Sequence, residues 1–393
     1  MGDIMLLSEL QTKDIVNLSD GNKIGKIKDI DIDVQTGDVV SINVLTVSKL
    51  RSFFSGESCV VIPWERVVKF GGEVIIVNLK SEWLETKMKV VYGIDVGGTF
   101  IKVGKFSNNL LIEKYSFDTI ISDNHMDIIN QIKDIIIETI HDDNLIGIGV
   151  AIPGPVKNGN VLGAQNIKWK TVPLKSILES YFPNVKISIV NDANAAALGE
   201  WYYGAGKKAP NMVMITLGTG VGGGIVINGK IIEGVNGSAG ELGHIKIYPY
   251  SGRKCTCGLV GCLETYTSAV GIVNTALEEK DGKLTSLNNF DNLTSKIVFD
   301  CAKLGDSVSL KVVDKTAYYL AIGIASICDI LNPESVVIGG GVSKAGEFFL
   351  EKVKKYYEEL VFYSIRDTEI CLASLYNDAG IYGAFASVTD IVL

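Results

Sequence analysis

The sequence predicts two folds in one chain: a small all-β domain over residues 1–80 and, from residue 89, an α/β fold in two lobes. Three observations carry this expectation. Residues 1–80 hold short β-rich runs broken by turn signals, the pattern of a small barrel or sandwich. From residue 89 apolar strands alternate with helical segments, as helices packed on a mixed sheet require. One pattern then recurs: Val90–Gly104 (VVYGIDVGGTFIKVG) and Val213–Gly229 (VMITLGTGVGGGIVING) both read strand, glycine-rich turn, β-branched strand. Its recurrence in the two halves predicts two related lobes facing a cleft.

In the first domain, Ile24–Val34 alternates strictly from Ile30 onward, with Ile30, Ile32 and Val34 on one face. Gln35-Thr-Gly37 turns the chain into a second strand from Asp38. Cys59–Pro63 and Val74–Leu79 supply two more, the last entered through Gly71-Gly72. Ser81–Lys89 is polar without strand character, so residues 81–88 read as a linker, and a strong strand follows Met88. Beyond it the expected strands are Lys89–Asp95, Ile146–Ala151, Val185–Val190, Asn211–Leu217 and Ser335–Ile338. The expected helices are Asp127–His141, Ala193–Tyr203, Ser309–Leu331, Ala345–Leu360 and Ile381–Val388. The longest apolar stretch, Ala317–Cys328, is shorter than the roughly 18–20 residues of a membrane span and reads as a buried helix.

Composition narrows the function. With 393 residues, 47% of them hydrophobic and 21% charged, the chain can bury a sizeable core and is not a disordered polymer. Lys and Arg number 37 against 45 Asp and Glu, and no dense basic block occurs, which argues against general binding to a nucleic-acid backbone. The N-terminus lacks a basic segment and a long apolar run, so no secretory signal is expected. Of seven cysteines, three crowd into Cys255–Cys262; Cys59, Cys301, Cys328 and Cys371 sit in apolar contexts. This is a reduced, cytoplasmic pattern.

Four motifs carry chemistry. Gly218–Gly223 (GTGVGG) matches the dinucleotide pattern formally, but a strand follows it where that site needs a helix. A plain tight hairpin remains one reading. The parallel with Asp95-Val-Gly97-Gly98-Thr99 favours a second, in which backbone N–H groups approach phosphate and Thr99 and Thr219 add hydroxyl donors. Asn191-Asp192-Ala193-Asn194 ends a strand and opens an Ala-rich helix. Helix capping accounts for one polar residue there; a carboxylate at a strand end is also placed to act as a general base on a hydroxyl. Cys255-Thr-Cys257-Gly258-Leu-Val-Gly261-Cys262, with His244 upstream, offers three thiolates and an imidazole to a closed tetrahedral Zn²⁺ site, structural in kind, flanked by Glu241 and Glu264. Val336–Ser343 is strand, triple glycine, helix, suited to close approach of a flat ligand, and Asn377–Gly380 is a similar turn.

Together DVGGT (95–99), PGPV (153–156), NDANAAALGE (191–200), LGTGVGGG (217–224), GELGH (240–244), CTCGLVGCLE (255–264) and IGGGVS (338–343) make residues 89–390 resemble a ROK-family sugar kinase of the bacterial ATP-dependent glucokinase type. The resemblance implies an actin-like ATPase (ribonuclease H-like) fold that closes over sugar and nucleotide. It implies Asp192 as the base, with Asn191, Glu241, His244 and Glu264 on the sugar hydroxyls. His244 would also join Cys255, Cys257 and Cys262 on structural Zn²⁺. Asp95 would lie near the Mg²⁺ that accompanies ATP, Gly97, Gly98, Thr99, Gly218, Thr219 and Gly220 near the phosphates, and Gly339, Gly340 and Gly341 beside the adenosine. Lys102 could neutralise phosphate. Residues 5–79 resemble a PRC-barrel domain, best at VVIPWERVVKFGGEVIIVNL (60–79), and nothing there reads as the helix-turn-helix of a ROK repressor. The expected division is a barrel over 1–80, a linker over 81–88, a first kinase lobe over 89–200 to which the helix 380–393 returns, and a second over 201–379 with the zinc knuckle. The expected partners are a sugar, ATP and further copies of the chain in a homodimer or higher homo-oligomer, with no nucleic acid and no membrane. Glucose is the expected substrate; N-acetylmannosamine, fructose or another hexose, or a non-catalytic sugar sensor, are the alternatives.

Overall fold

The computed structural model describes residues 6–33, 36–46, 59–79, 88–141 and 143–392. Val34, Gln35 and all of the expected linker except Met88 lie outside the described residues. The chain divides into two compact units: Met1–Gly154 with Gly159–Val190 and Ser387–Leu393, and Pro155–Asn158 with Asn191–Ala386.

The first unit opens with a short helix α1 (Leu7–Thr12) and six strands: β1 (Asp14–Asn17), β2 (Lys23–Ile32), β3 (Val39–Thr46), β4 (Cys59–Pro63), β5 (Val67–Phe70) and β6 (Val74–Val77). Their order is β4-β3-β2-β1-β6-β5. The two end strands, β4 and β5, are joined only by the single turn Trp64–Arg66, so the sheet must roll round on itself. It does not close: among the described residues β4 and β5 share no ladder, which corrects the expected barrel. The outer edge of β4 instead finds its hydrogen bonds on a strand of the following domain, pairing Cys59 with Lys114 and Val60 with Glu113. Ile15, Ile27, Ile42, Val44, Ile62, Ile75 and Val77 fill the core of the roll. Register shifts after Ile27 and after Asp31 break the strict alternation: Ile30 still packs against that core, but Ile32 ends exposed.

The unit continues with β7 (Lys89–Val96), β8 (Phe100–Ser107), β9 (Leu110–Asp118), helix α2 (Met126–Thr139), β10 (Asn144–Ile152), helix α3 (Leu174–Tyr181) and β11 (Lys186–Asn191). Ile128, Ile129, Ile132, Ile135 and Ile136 recur at helical spacing and bury one face of α2. A buried lysine, Lys105, is compensated by Asp143 at 2.8 Å, Glu113 at 3.4 Å and the Thr139 carbonyl at 3.0 Å. Burial raises the Glu113 carboxyl above the usual range, with Lys105 opposing the shift.

The second unit holds helix α4 (Asp192–Tyr203), β12 (Met212–Leu217), β13 (Val221–Ile227), β14 (Lys230–Ile231), α5 (Glu264–Thr267), α6 (Ala269–Lys280), α7 (Ser295–Lys303), α8 (Ser307–Leu331), β15 (Ser335–Gly339), α9 (Glu347–Leu360), β16 (Glu369–Leu372) and α10 (Ala379–Val392), whose last residues belong to the first unit. Side chains alternate across β12. Val213, Ile215 and Leu217 join the core formed with α6 to α9, while Met212 and Met214 pack with Ala197 of α4 on the other face. The apolar stretch Ala317–Cys328 lies in α8 and is mostly core. No helix of the described residues is long and apolar enough to cross a membrane.

The sequence repeat is a repeat of topology. Strand order β11-β10-β7-β8-β9 in the first unit matches β16-β15-β12-β13-β14 in the second. In each, a hairpin (β7–β8, β12–β13) is antiparallel, and its first strand runs parallel to a later strand, β10 or β15. This duplicated layout is the frame from which the polar turns project.

Candidate active site and metal centre

Strand β11 ends at Asn191 and helix α4 begins at Asp192. Asn191 caps the helix: its Oδ1 accepts from Ala193 N at 2.9 Å and Asn194 N at 3.1 Å. Its amide also donates to Asp192 Oδ1 at 3.0 Å, and the same oxygen accepts from Ala193 N at 2.8 Å. The cap therefore fixes one oxygen of an exposed carboxylate.

Two glycine turns lie side by side at the end of this unit's parallel strands. Thr216 of β12 is in register with Gly339 of β15. Gly340 has φ +86°, and a Cβ there would lie 2.5 Å from the Leu217 carbonyl oxygen, so only glycine lets the triple-glycine turn rest on the strand that feeds Gly218. Ligands of α/β sheets bind at such carboxyl ends. The Gly218–Gly220 turn closes through Gly218 N to Gly220 O at 2.9 Å. The glycines after it serve packing: a Cβ on Gly224 would collide with Ala197 of α4.

Glu264 opens α5 and bridges that turn to the cysteine knuckle. Its Oε2 accepts from Val221 N at 2.9 Å; its Oε1 accepts from Thr256 Oγ1 at 3.4 Å and from Cys255 Sγ at 3.6 Å. Glu241 and His244 flank the short turn Leu242–His244, with His244 Nε2 3.9 Å from Glu241 Oε2. The other ring nitrogen, Nδ1, faces Cys255 Sγ at 3.7 Å. One imidazole thus addresses the cysteines with one nitrogen and Glu241 with the other.

The ligand atoms of His244, Cys255, Cys257 and Cys262 all lie within 4.8 Å of one another. Cys257 and Cys262 sulfurs are 3.7 Å apart, too far for a disulfide and close to the edge of about 3.8 Å that Zn–S bonds of about 2.3 Å give a tetrahedron. This donor set and spacing fit zinc. Burial pushes the Cys255 thiol up to about 11, while the Leu259 backbone hydrogen bond draws exposed Cys257 down. Arg253 ties the knuckle down, donating to Thr265 O at 2.8 Å, Gly271 O at 3.1 Å and Thr275 Oγ1 at 3.0 Å. Lys246 Nζ lies 2.8 Å from both Cys262 Sγ and His244 O. Neither Arg253 nor Lys246 belongs to a motif; the one cue to Lys246 is its place two residues past His244.

In the first unit, Asp95 and Lys102 face each other across the β7–β8 hairpin, with Lys102 Nζ 3.3 Å from Asp95 Oδ2. Lys102 is thus paired with the carboxylate expected near Mg²⁺. The Gly97–Thr99 turn is held by Thr119, which donates its Oγ1 to Gly97 O at 2.8 Å and its N–H to Thr99 O at 2.9 Å. No motif surrounds Thr119, so nothing local marks its role.

Residues 91–391 match the family model described as ROK family, and residues 2–84 that of the PRC-barrel domain. A glucokinase of Halalkalibacterium halodurans is 43% identical over 305 residues, covering 74% of this chain and 92% of the relative. A xylose repressor of Caldicellulosiruptor bescii is 30% identical over 369 residues, 90% of each chain. Among solved structures, a ROK family glucokinase from Streptomyces griseus in complex with glucose and AMPPNP superposes with a TM-score of 0.63 at 30% identity, covering 75% of this chain and 98% of that one.

Proposed function

The chain belongs to the ROK family, and from that premise we propose that it is an ATP-dependent sugar kinase that phosphorylates glucose at its 6-hydroxyl. The observation that carries the reading is Asp192: a carboxylate fixed by Asn191 at the head of α4, in a chain 43% identical to a glucokinase. Asp192 accepts the proton of the sugar hydroxyl as the sugar oxygen bonds to the terminal phosphorus of ATP, whose bond to the β-phosphate oxygen breaks to release ADP. Asn191, Glu241, His244 and Glu264 orient the sugar, and the N–H groups of Gly218–Gly220 hold phosphate oxygens, a task the family resemblance also assigns to Gly97–Thr99. Gly339–Gly341 lie against the adenosine. Mg²⁺ bound with ATP supplies charge neutralisation, and Asp95 is the side chain assigned to it. Zinc held by His244, Cys255, Cys257 and Cys262 would supply rigidity to the loop that presents Glu241 and Glu264. A division into a first lobe over 89–200 with a returning terminal helix and a second over 201–379 goes with this reading, as does a cytoplasmic location and assembly with further copies of the chain.

The xylose repressor match favours a second reading, a sugar sensor without catalysis. Against it, the described residues before Met88 form one six-residue helix and six strands, with no helix pair to enter a DNA groove. The deciding experiment is ADP release with a panel of sugars. Strong ADP release with glucose, weaker with N-acetylmannosamine, fructose and xylose, is expected; no sugar-dependent release with any of them would leave only the sensor.

The first domain lends β4 to β9 through two residue pairs, and every residue assigned to chemistry follows Met88. A chain beginning at Met88 should therefore keep kcat and KM within about threefold of the whole protein, yet expose the edge of β9 and associate more readily. Steady-state assay beside size-exclusion chromatography checks both halves; a large loss of activity would make the first domain part of the enzyme.

A further inference from the structure

Glu200, on the last turn of α4, is fully buried, and no role assigned so far uses it. Its Oε2 accepts from Ala205 N at 2.9 Å, Ser374 N at 3.1 Å and Ser374 Oγ at 3.3 Å; its Oε1 accepts from Leu375 N at 2.7 Å. The carboxylate is thus held by backbone and hydroxyl dipoles, three of the four donors coming from one short segment. Gly204 is part of the arrangement, because a Cβ there would run into Glu200 Oε2.

That segment leaves β16 beside the triple glycine. Ala373 N donates to Ile338 O at 2.9 Å, and a Cβ on Gly339 would lie 3.2 Å from that of Ala373. Residues 373–375 therefore form a wall beside Gly339, where the triple-glycine turn begins. At its other end α4 carries Asp192, eight residues before Glu200 or about 12 Å away along a stiff rod.

We propose that Glu200 is a positioning residue that clamps the wall of the nucleotide turn to the helix carrying the base, so that the ATP-binding loop and Asp192 hold a fixed register. The inference rests on the kinase reading, with adenosine at Gly339–Gly341. In Glu200→Gln the amide oxygen can replace Oε2, but the NH₂ group then faces the Leu375 N–H, donor against donor. Leu375 must move away, and the wall loosens while the Asn191–Asp192 end of the helix is untouched.

The test is made on the full chain, with ATP KM read at saturating glucose and glucose affinity read by calorimetry. Glu200→Gln should raise ATP KM about tenfold, the cost of one buried donor left without a partner, with glucose Kd unchanged within about twofold. Ser374→Ala, which removes one hydroxyl donor, should raise ATP KM about two- to fivefold in the same direction. Circular dichroism verifies folding; if Glu200→Gln does not fold, Ser374→Ala decides alone. An unchanged ATP KM in the folded variants, or equal losses for ATP and glucose, overturns the inference while the wild type still phosphorylates sugar. A wild type without sugar-dependent ADP release sinks the kinase reading and this inference together.

Discussion

Asp192→Asn should reduce sugar phosphorylation by about 10²–10⁴-fold in kcat, or roughly 3–5.5 kcal/mol in the barrier, with the fold and most of the sugar affinity kept. The geometry explains why the loss should be confined to chemistry. Asp192 Oδ1 accepts from Asn191 Nδ2 and Ala193 N, both of which an amide oxygen in the same place can satisfy. The other oxygen becomes an NH₂ group of nearly the same shape, which cannot accept a proton from a hydroxyl. The helix start is preserved as well, since Asn191 remains its cap. Calorimetry with glucose should therefore give a Kd within a few-fold of wild type, while single-turnover ADP formation falls by orders of magnitude. A variant with near-normal kcat would remove Asp192 from the reaction and leave it a capping residue only.

How far the sequence could be read depended on whether the information was local. The hairpins Val90–Gly104 and Val213–Gly229 were legible because strand, turn and strand are contiguous, and the topology repeats them faithfully. The helix after Asp192 was legible from its Ala-rich run and its cap. The open edge of the first domain was not, because the partner of β4 lies on β9, some fifty residues further along the chain. Alternation held at Ile30, which packs on the core, and misled at Ile32: a second register shift lies between Asp31 and Ile32, and no local pattern marks it. The site divides in the same way. His244 and the three cysteines announce themselves by type and spacing, and their atoms converge. Glu200 and Thr119 do not, because a carboxylate aimed at Ser374 and Leu375, or a hydroxyl aimed at Gly97, is defined only once distant segments meet. Glu264 was assigned to the sugar alone, yet it also bridges the glycine turn and the knuckle, a role that only the three-dimensional arrangement discloses.

The bridge through Glu264 also sets the expected consequence of losing the metal. The purified protein should carry about one zinc per chain, and Cys257→Ala should lose it and raise the sugar KM about 10–100-fold, the range seen when support of a metal site is removed. Cys257 is the informative choice because it is exposed: replacing it removes a ligand while disturbing little packing, unlike buried Cys255 and Cys262. With three donors left, the closed tetrahedron opens to water and the metal is held far less tightly. His244 then loses the anchor on its Nδ1 side, and the loop that carries Cys255 and Thr256 no longer holds Glu264 against Val221. Sugar affinity should fall with metal content, and adding zinc back should restore neither in the variant. Cys371→Ala, at a half-buried thiol in β16 outside the cluster, should leave both unchanged. Elemental analysis and sugar titration on the same preparations separate the outcomes: full activity in a native protein without zinc would reduce the knuckle to a loop of reduced thiols, whereas parallel loss of zinc and affinity in Cys257→Ala ties the metal to the residues that grip the sugar.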